Sequence, residues 1–351
     1  MPVTKVWVPR SRFWDLENYK FTRPQQPVRL QRTMATRKQK PSASAPAGGG
    51  GFSLISDEKL LQLYTTMVKC RMIEERARSL FEPKNLLERK KLAGNGGGAV
   101  GQEAGQEAAV VGVAIDLGPE DRVVPLNRSL IVGFGLIASF VRGAPLEEVF
   151  RSQMACAAGL DLAAQLDIAT GAALINKTKK NGKIAVVFLD GEEAEPVFRP
   201  DFWPDSCSDA LHAAGVHRLP ILFVRLSSLP AVLGKRKAQK GIDAHAERDV
   251  IARQAEACGV PFIAVDGNDA VAVYRVATEA IAHARKGNGA TFIACETAGC
   301  KAHDPILKME AYLTRKGLFS EKLKRENAAS FTQELKAAIA TANQSKKLAS
   351  L

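Results

Sequence analysis

Two kinds of apolar pattern alternate along this chain. A continuous apolar run at residues 184–189, with β-branched side chains, predicts a strand buried on both faces; 221–226 reads as a second strand of buried type, and 261–265 and 291–296 as further strands. Around them, apolar residues recur at helical spacing. Ser56 reads as an N-cap, with Asp57 and Glu58 in the first turn. Leu60, Leu61, Tyr64, Met67, Val68 and Met72 then predict an amphipathic helix that stops near Pro83. Further helices are expected over 106–115, 163–174, 243–257 and 270–285, with a turn at Gly287-Asn288-Gly289. Strand–helix alternation of this kind argues for an α/β fold, a mostly parallel sheet with helices on both faces. From Glu326 onward Ala, Lys, Gln and Glu dominate, which predicts a surface helix fraying into a tail. The expected organisation is a basic tail (1–52), a body (53–325) and a C-terminal helix or tail (326–351).

The chain of 351 residues is long enough to bury a large core. Its formal charge of +12 is unevenly placed: residues 1–51 carry ten Lys or Arg and two Asp or Glu, leaving 39 against 35 in the remainder. The body is therefore nearly neutral, and with no basic stripe or aromatic platform it does not read as a nucleic-acid binder. The six cysteines are scattered, without metal-ligand spacing, and read as reduced, mostly buried thiols. The longest apolar stretch, 130–141, is too short to span a bilayer. Two readings of the Arg-rich, acid-poor start compete: a mitochondrial transit peptide, or a reading frame extended upstream of a true start at Met34. Trp7, Pro9, Trp14, Pro24 and Pro27 spoil an amphipathic helix there and favour the second, with a cytoplasmic protein as the expectation and a mitochondrial matrix protein as the alternative.

The chemistry gathers where the first two strands end. Asp190-Gly191 follows one apolar run at once, and Ser227-Ser228 follow another. Open α/β sheets place ligands at the carboxyl ends of their strands, and oxygen side chains there suit a hard cation and its phosphates. The glycine run at 94–98 reads as a flexible turn, because no strand precedes it and no P-loop Lys follows. His212 and His217 read as surface residues, and Asp266 as a helix cap or turn residue.

The order strand, Asp190-Gly191, helix, Leu219-Pro220, strand resembles the thiamine diphosphate motif of the 2-oxo acid dehydrogenase family, specifically the alpha subunit of the decarboxylating component. Met67, Arg71 and Glu74-Glu75, the segment Gly105-Gln106-Glu107-Ala108, the run from Ile251 to Glu296, and Asp304-Pro305-Ile306 resemble that family as well. The resemblance implies a thiamine diphosphate-binding fold, magnesium held by Asp190 and Ser228, and cofactor contacts from Asn127, Arg128, Asp190, Gly191 and Ser228. It implies a beta-type subunit and a lipoyl-bearing acyltransferase as partners, in a homo- or hetero-oligomer in which the Gly105–Gly112 helix lies near a subunit interface. The family's motif is Gly-Asp-Gly followed by Asn-Asn; here Leu189 replaces the first Gly and Ser227-Ser228 the two Asn, with 192–206 as an insertion. Asn127 replaces a Tyr, the Gly-, Lys- and His-rich covering loop is missing after 147–151, and His303 is the one His near the family's active-site position.

Three functions follow from these residues: a working alpha subunit, a non-catalytic member with a structural or regulatory role, and a small-molecule binder reusing the sheet. The first 52 residues lack the apolar area to offset their ordering entropy. Their removal is expected to leave the melting temperature unchanged in scanning calorimetry, whereas a fall of several degrees would show that the tail docks.

Overall fold

The computed structural model describes residues 55–81, 105–125, 134–155, 162–190, 205–229, 244–298 and 303–349. In chain order these form α1 (Asp57–Phe81), α2 (Glu107–Ala114), β1 (Arg122–Pro125), α3 (Phe134–Val141), α4 (Leu146–Ala155) and α5 (Leu162–Lys179). There follow β2 (Ala185–Asp190), α6 (Asp205–Val216), β3 (Ile221–Leu229), α7 (Ala244–Ala257), β4 (Phe262–Asp266), α8 (Ala270–Arg285), β5 (Thr291–Ala298), α9 (Pro305–Arg315) and α10 (Glu321–Ala349). The five strands form one sheet in the order β1-β2-β3-β5-β4, every neighbouring pair parallel.

Handedness explains which helices cover which face. Crossovers between parallel strands are right-handed, so the face a helix covers depends on the direction in which the chain steps across the sheet. From β1 to β4 it steps one way, and the core beneath α5, α6 and α7 is a single cluster around Leu166, Leu211 and Ile251. From β4 to β5 it steps back, and α8 joins α1 to α4, α9 and α10 in the larger cluster on the opposite face. Alternation along each strand feeds both clusters: Ile184, Val186 and Phe188 enter one, and Ala185, Val187 and Leu189 the other. That two-sided demand is why the strands read as unbroken apolar runs. On the smaller face Phe223, Phe292 and Phe262 sit in register on adjacent strands, with ring centroids 6.2 and 5.5 Å apart.

The predicted helices are present, with instructive differences. In α1, Ser56 Oγ accepts from the Lys59 amide at 3.2 Å, the expected cap. Leu60, Leu63, Tyr64, Met67, Cys70, Ile73 and Ala77 are fully buried, so α1 lines the core, while Leu61, Val68 and Met72 only flank it. Asp266 makes a turn, accepting from the Asn268 amide at 2.9 Å, and Asp269 caps α8 by accepting from Val271 and Ala272. α10 begins at Glu321, earlier than the expected helix from Glu326. It is not a surface helix: Phe331, Leu335, Ala338, Ile339 and Ala342, spaced three or four apart, are buried in the main core.

Helix α2 corrects another expectation. All eight of its residues are buried within the chain, so its small-residue side is already occupied. At Gly112 an added Cβ would lie 2.8 Å from Val273 Cγ1 and 3.1 Å from the Tyr274 amide nitrogen, because α2 and α8 approach closely. Gly112→Leu is therefore expected to cost about 2 kcal/mol through overpacking. Val273→Ala in the same chain should recover part of that loss in denaturant melts. Full stability in the single variant would contradict the close approach.

Candidate functional site

Because the sheet is parallel, all its strands deliver their carboxyl ends to one edge. Asp190 is the last residue of β2 and pairs in register with Leu226, so Ser227 and Ser228 continue β3 just beyond it. β3 stays in the ladder through Ser227↔Glu296, Ser228↔Thr297 and Leu229↔Ala298, and β4 ends at Asp266↔Glu296. With strands about 4.8 Å apart and rising about 3.3 Å per residue, the α-carbons of Asp190 and Ser228 lie roughly 8 Å apart. The fold thus brings together the two predicted metal ligands, a carboxylate-bearing and a hydroxyl-bearing residue on adjacent strands. β1 leaves the same edge at Pro125, opposite Phe188. Asn127, Arg128 and Gly191 lie outside the described residues. His303 is exposed on the turn before α9.

Leu189, which stands where the family motif has Gly, is a core residue: its side chain is buried with Leu211 and Phe223 on the α6 side. The described residues contain no group of three or more His, Cys, Asp or Glu placed to hold a metal ion. Burial pushes the Cys207 and Cys295 thiols up to about 12, and Cys70 likewise upward, so these are packing residues and not nucleophiles.

Reading the sequence did not reveal the charged cluster that braces this edge from behind. Arg71 on α1 donates through Nε and Nη2 to the two oxygens of Glu107 at 2.9 and 3.1 Å, and through Nη1 to Asp304 at 2.6 Å. Glu107 opens α2 and is 8% exposed. Asp304 caps α9, accepting from the Ile306 amide at 2.8 Å. One guanidinium therefore ties three helices, and it fixes the residue from which α9 starts after β5. Burial alone would weaken the charge on Arg71, but the two carboxylates more than offset it and raise its pKa. Burial would likewise raise the Asp304 carboxyl; Arg71 and the helix amides instead hold it below the usual range. The signals were present: Arg71 lies four residues after Met67 on the buried stripe, and Asp304-Pro305 is a cap followed by Pro at the first helical position.

A second buried carboxylate, Asp121, joins the start of β2 to the larger helical layer. Its Oδ1 accepts from the Ile184 amide at 3.0 Å, and its Oδ2 from the Gly118 amide at 2.7 Å and Arg285 Nη2 at 2.6 Å. Tyr64 Oη donates to Glu310 at 3.0 Å, and Lys324 pairs with the same carboxylate at 2.9 Å, holding α1, α9 and α10 together.

The fold defines the class first: an α/β protein with a parallel sheet flanked by helices on both faces. Residues 151–298 match the family model described as the dehydrogenase E1 component. The pyruvate dehydrogenase E1 component subunit alpha of Staphylococcus aureus is 26% identical over 323 residues, covering 84% of this chain and 80% of that one. The Staphylococcus epidermidis protein of the same name gives the same figures. The chain is thus similar to 2-oxo acid dehydrogenase alpha subunits over most of its length. Among solved structures, it aligns with a Campylobacter jejuni transketolase at a TM-score of 0.41 and 14% identity, covering 82% of this chain and 48% of that one. A Pichia stipitis transketolase aligns at 0.39 and 16%, covering 83% and 46%. The chain spans under half the length of these two transketolases.

Replacing Arg71 tests the brace. Arg71→Met is expected to cost about 3 kcal/mol, because it strands the buried Glu107 charge, and adding Glu107→Leu should recover most of it. Asp304 has a depressed pKa in the folded state. Its contribution is therefore complete above the unfolded carboxyl value of about 3.9, and is lost as pH falls through the lower folded value. Melting curves from pH 6 downward should show less acid destabilisation over that low-pH window in Arg71→Met than in the parent. An identical pH profile would show that Arg71 does not hold the Asp304 carboxylate.

Proposed function

We propose that this chain is an alpha-type subunit of a thiamine diphosphate-dependent 2-oxo acid dehydrogenase that has lost its own hold on magnesium and the cofactor diphosphate. It serves its assembly structurally or as a regulatory subunit. The family reaction is oxidative decarboxylation of a 2-oxo acid with acyl transfer to lipoyl groups. The partners on this reading are a beta-type subunit and a lipoyl-bearing acyltransferase, in the cytoplasm. The alpha-subunit likeness over most of the chain supports the first half of the proposal.

The observation that carries the second half is the donor set on the two adjacent strand ends. They supply one carboxylate, Asp190, and the serine pair Ser227-Ser228 on a strand still in the ladder through Leu229. Magnesium demands near-octahedral oxygen geometry and gives up its water reluctantly. The serine hydroxyl sits one bond nearer the backbone than the asparagine carbonyl it replaces, so it does not reproduce the reach of that ligand. Leu189 adds a core side chain at the position where the motif's Gly lets the backbone approach phosphate. These residues do not fit the group the family binds, and no catalytic step is assigned through it.

The alternative, a working alpha subunit, is favoured by the one position that is kept, Asp190 at the carboxyl end of β2. Calorimetric titration separates the two readings. Thiamine diphosphate with magnesium should give neither binding heat nor a rise in melting temperature. On this reading Asp190 is not needed to hold a cation, so Asp190→Asn should melt no lower than the parent. A cofactor-dependent rise of several degrees that disappears in Asp190→Ala would return the chain to the working subunits.

A further inference from the structure

Just past the carboxyl end of β4, a cavity of about 220 Å³ opens between the first turns of α8 and one face of α9. Three cations line it: Arg275 on α8, and Lys308 and Arg315 on α9. They are not equivalent. Lys308 is committed to Asp266 at 2.5 Å and Asp269 at 3.3 Å. Among the described residues, Arg275 and Arg315 have no carboxylate partner. The Arg315 guanidinium instead lies 5.8 Å from the centroid of the Tyr312 ring. Met309, 3% exposed, is the largest apolar side chain lining the cavity.

The helix dipole is not the attractor in this cleft, because Asp269 already accepts from the Val271 and Ala272 amides of the first turn of α8. What remains is two spare planar donors beside an aromatic ring and a thioether. Guanidinium forks match carboxylate geometry through paired hydrogen bonds. The volume holds about seven water-sized groups, too few for a nucleotide or a drug-sized ligand, which occupy about 300 Å³ or more.

We propose that this cleft is a binding site for a short aliphatic carboxylate, held by Arg275 and Arg315 with its methylene stem against Met309 and Tyr312. Such a group is presented either by a free small dicarboxylate or by an acidic side chain of a partner protein, and the two sources are distinguishable.

The full chain, labelled at its methionine methyl groups, would be titrated with glutarate, with its uncharged diamide, and with a capped Gly-Glu-Gly peptide. The Met309 resonance, assigned through Met309→Leu, reports on the cleft. Glutarate is expected to shift that resonance saturably, the diamide is not, and Arg275→Gln with Arg315→Gln should weaken the response at least tenfold. A peptide response stronger than that of glutarate assigns the site to a partner's acidic side chain; a response to glutarate alone assigns it to a free dicarboxylate. Both arginines are exposed, so the paired variant should keep the parent melting temperature. Should it unfold, the paired lysine variant, which keeps charge but not the planar fork, is expected to bind more weakly than the parent. The proposal is overturned if neither probe shifts Met309 saturably, if the diamide acts equally, or if neither paired variant changes the response.

Discussion

The central strands of this parallel sheet are buried on both faces, and much of the rest of this molecule follows from meeting that condition on both sides. Crossovers between parallel strands are right-handed as a rule, and the order β1-β2-β3-β5-β4 fits α5, α6 and α7 on one face and α8 on the other, while α3 and α4, also between β1 and β2, pack on the α8 face. Three connecting helices cover one side. The other side receives α8, reinforced by α1 and α2 from the start of the chain and by α9 and α10 from its end. The larger layer draws on segments far apart in sequence, and it is there that the buried charges are found.

Those charges act as fixed joints between helices whose apolar faces alone would tolerate sliding. Arg71 binds α1 to the opening residue of α2 and the cap of α9. Asp121 binds the start of β2 to Arg285 at the end of α8. Glu310 gathers α1 and α10 through Tyr64 and Lys324. A buried ion pair is weak evidence for stability, since an apolar replacement of the same shape often does as well. Removing one member of such a pair is costly. Apolar packing sets the layers in this chain, and the joints set their register.

The ligand edge is positioned by these same constraints but does not take part in them. Parallel pairing places Asp190 and Ser228 on neighbouring strands at one edge, as it would in any protein of this topology. What the edge can hold depends on the donors the sequence puts there. In such a fold, packing and site chemistry rest largely on different residues. Leu189, next to Asp190, serves packing, buried in the cluster with Leu211 and Phe223.

The sequence alone determined the strands and most of the helices, because a strand buried on both faces must be apolar throughout and a one-sided helix must repeat every three to four residues. It also placed Asp190 and Ser227-Ser228 at the carboxyl ends of two strand runs; that the two strands are neighbours came from the structure. Tertiary structure decided what local pattern does not encode. The Ala- and Lys-rich composition of α10 concealed a core face, because five apolar residues among twenty-nine become a stripe only when something packs against them. Gly112 is demanded by Val273, 161 positions further along the chain, and nothing around Gly112 signals that contact. Each of Arg71, Glu107 and Asp304 carries a local signal in the sequence, but nothing there pairs one with another. They become one buried cluster only after the helices that carry them have met, because an ion pair depends on distance through space and leaves no periodicity along the chain.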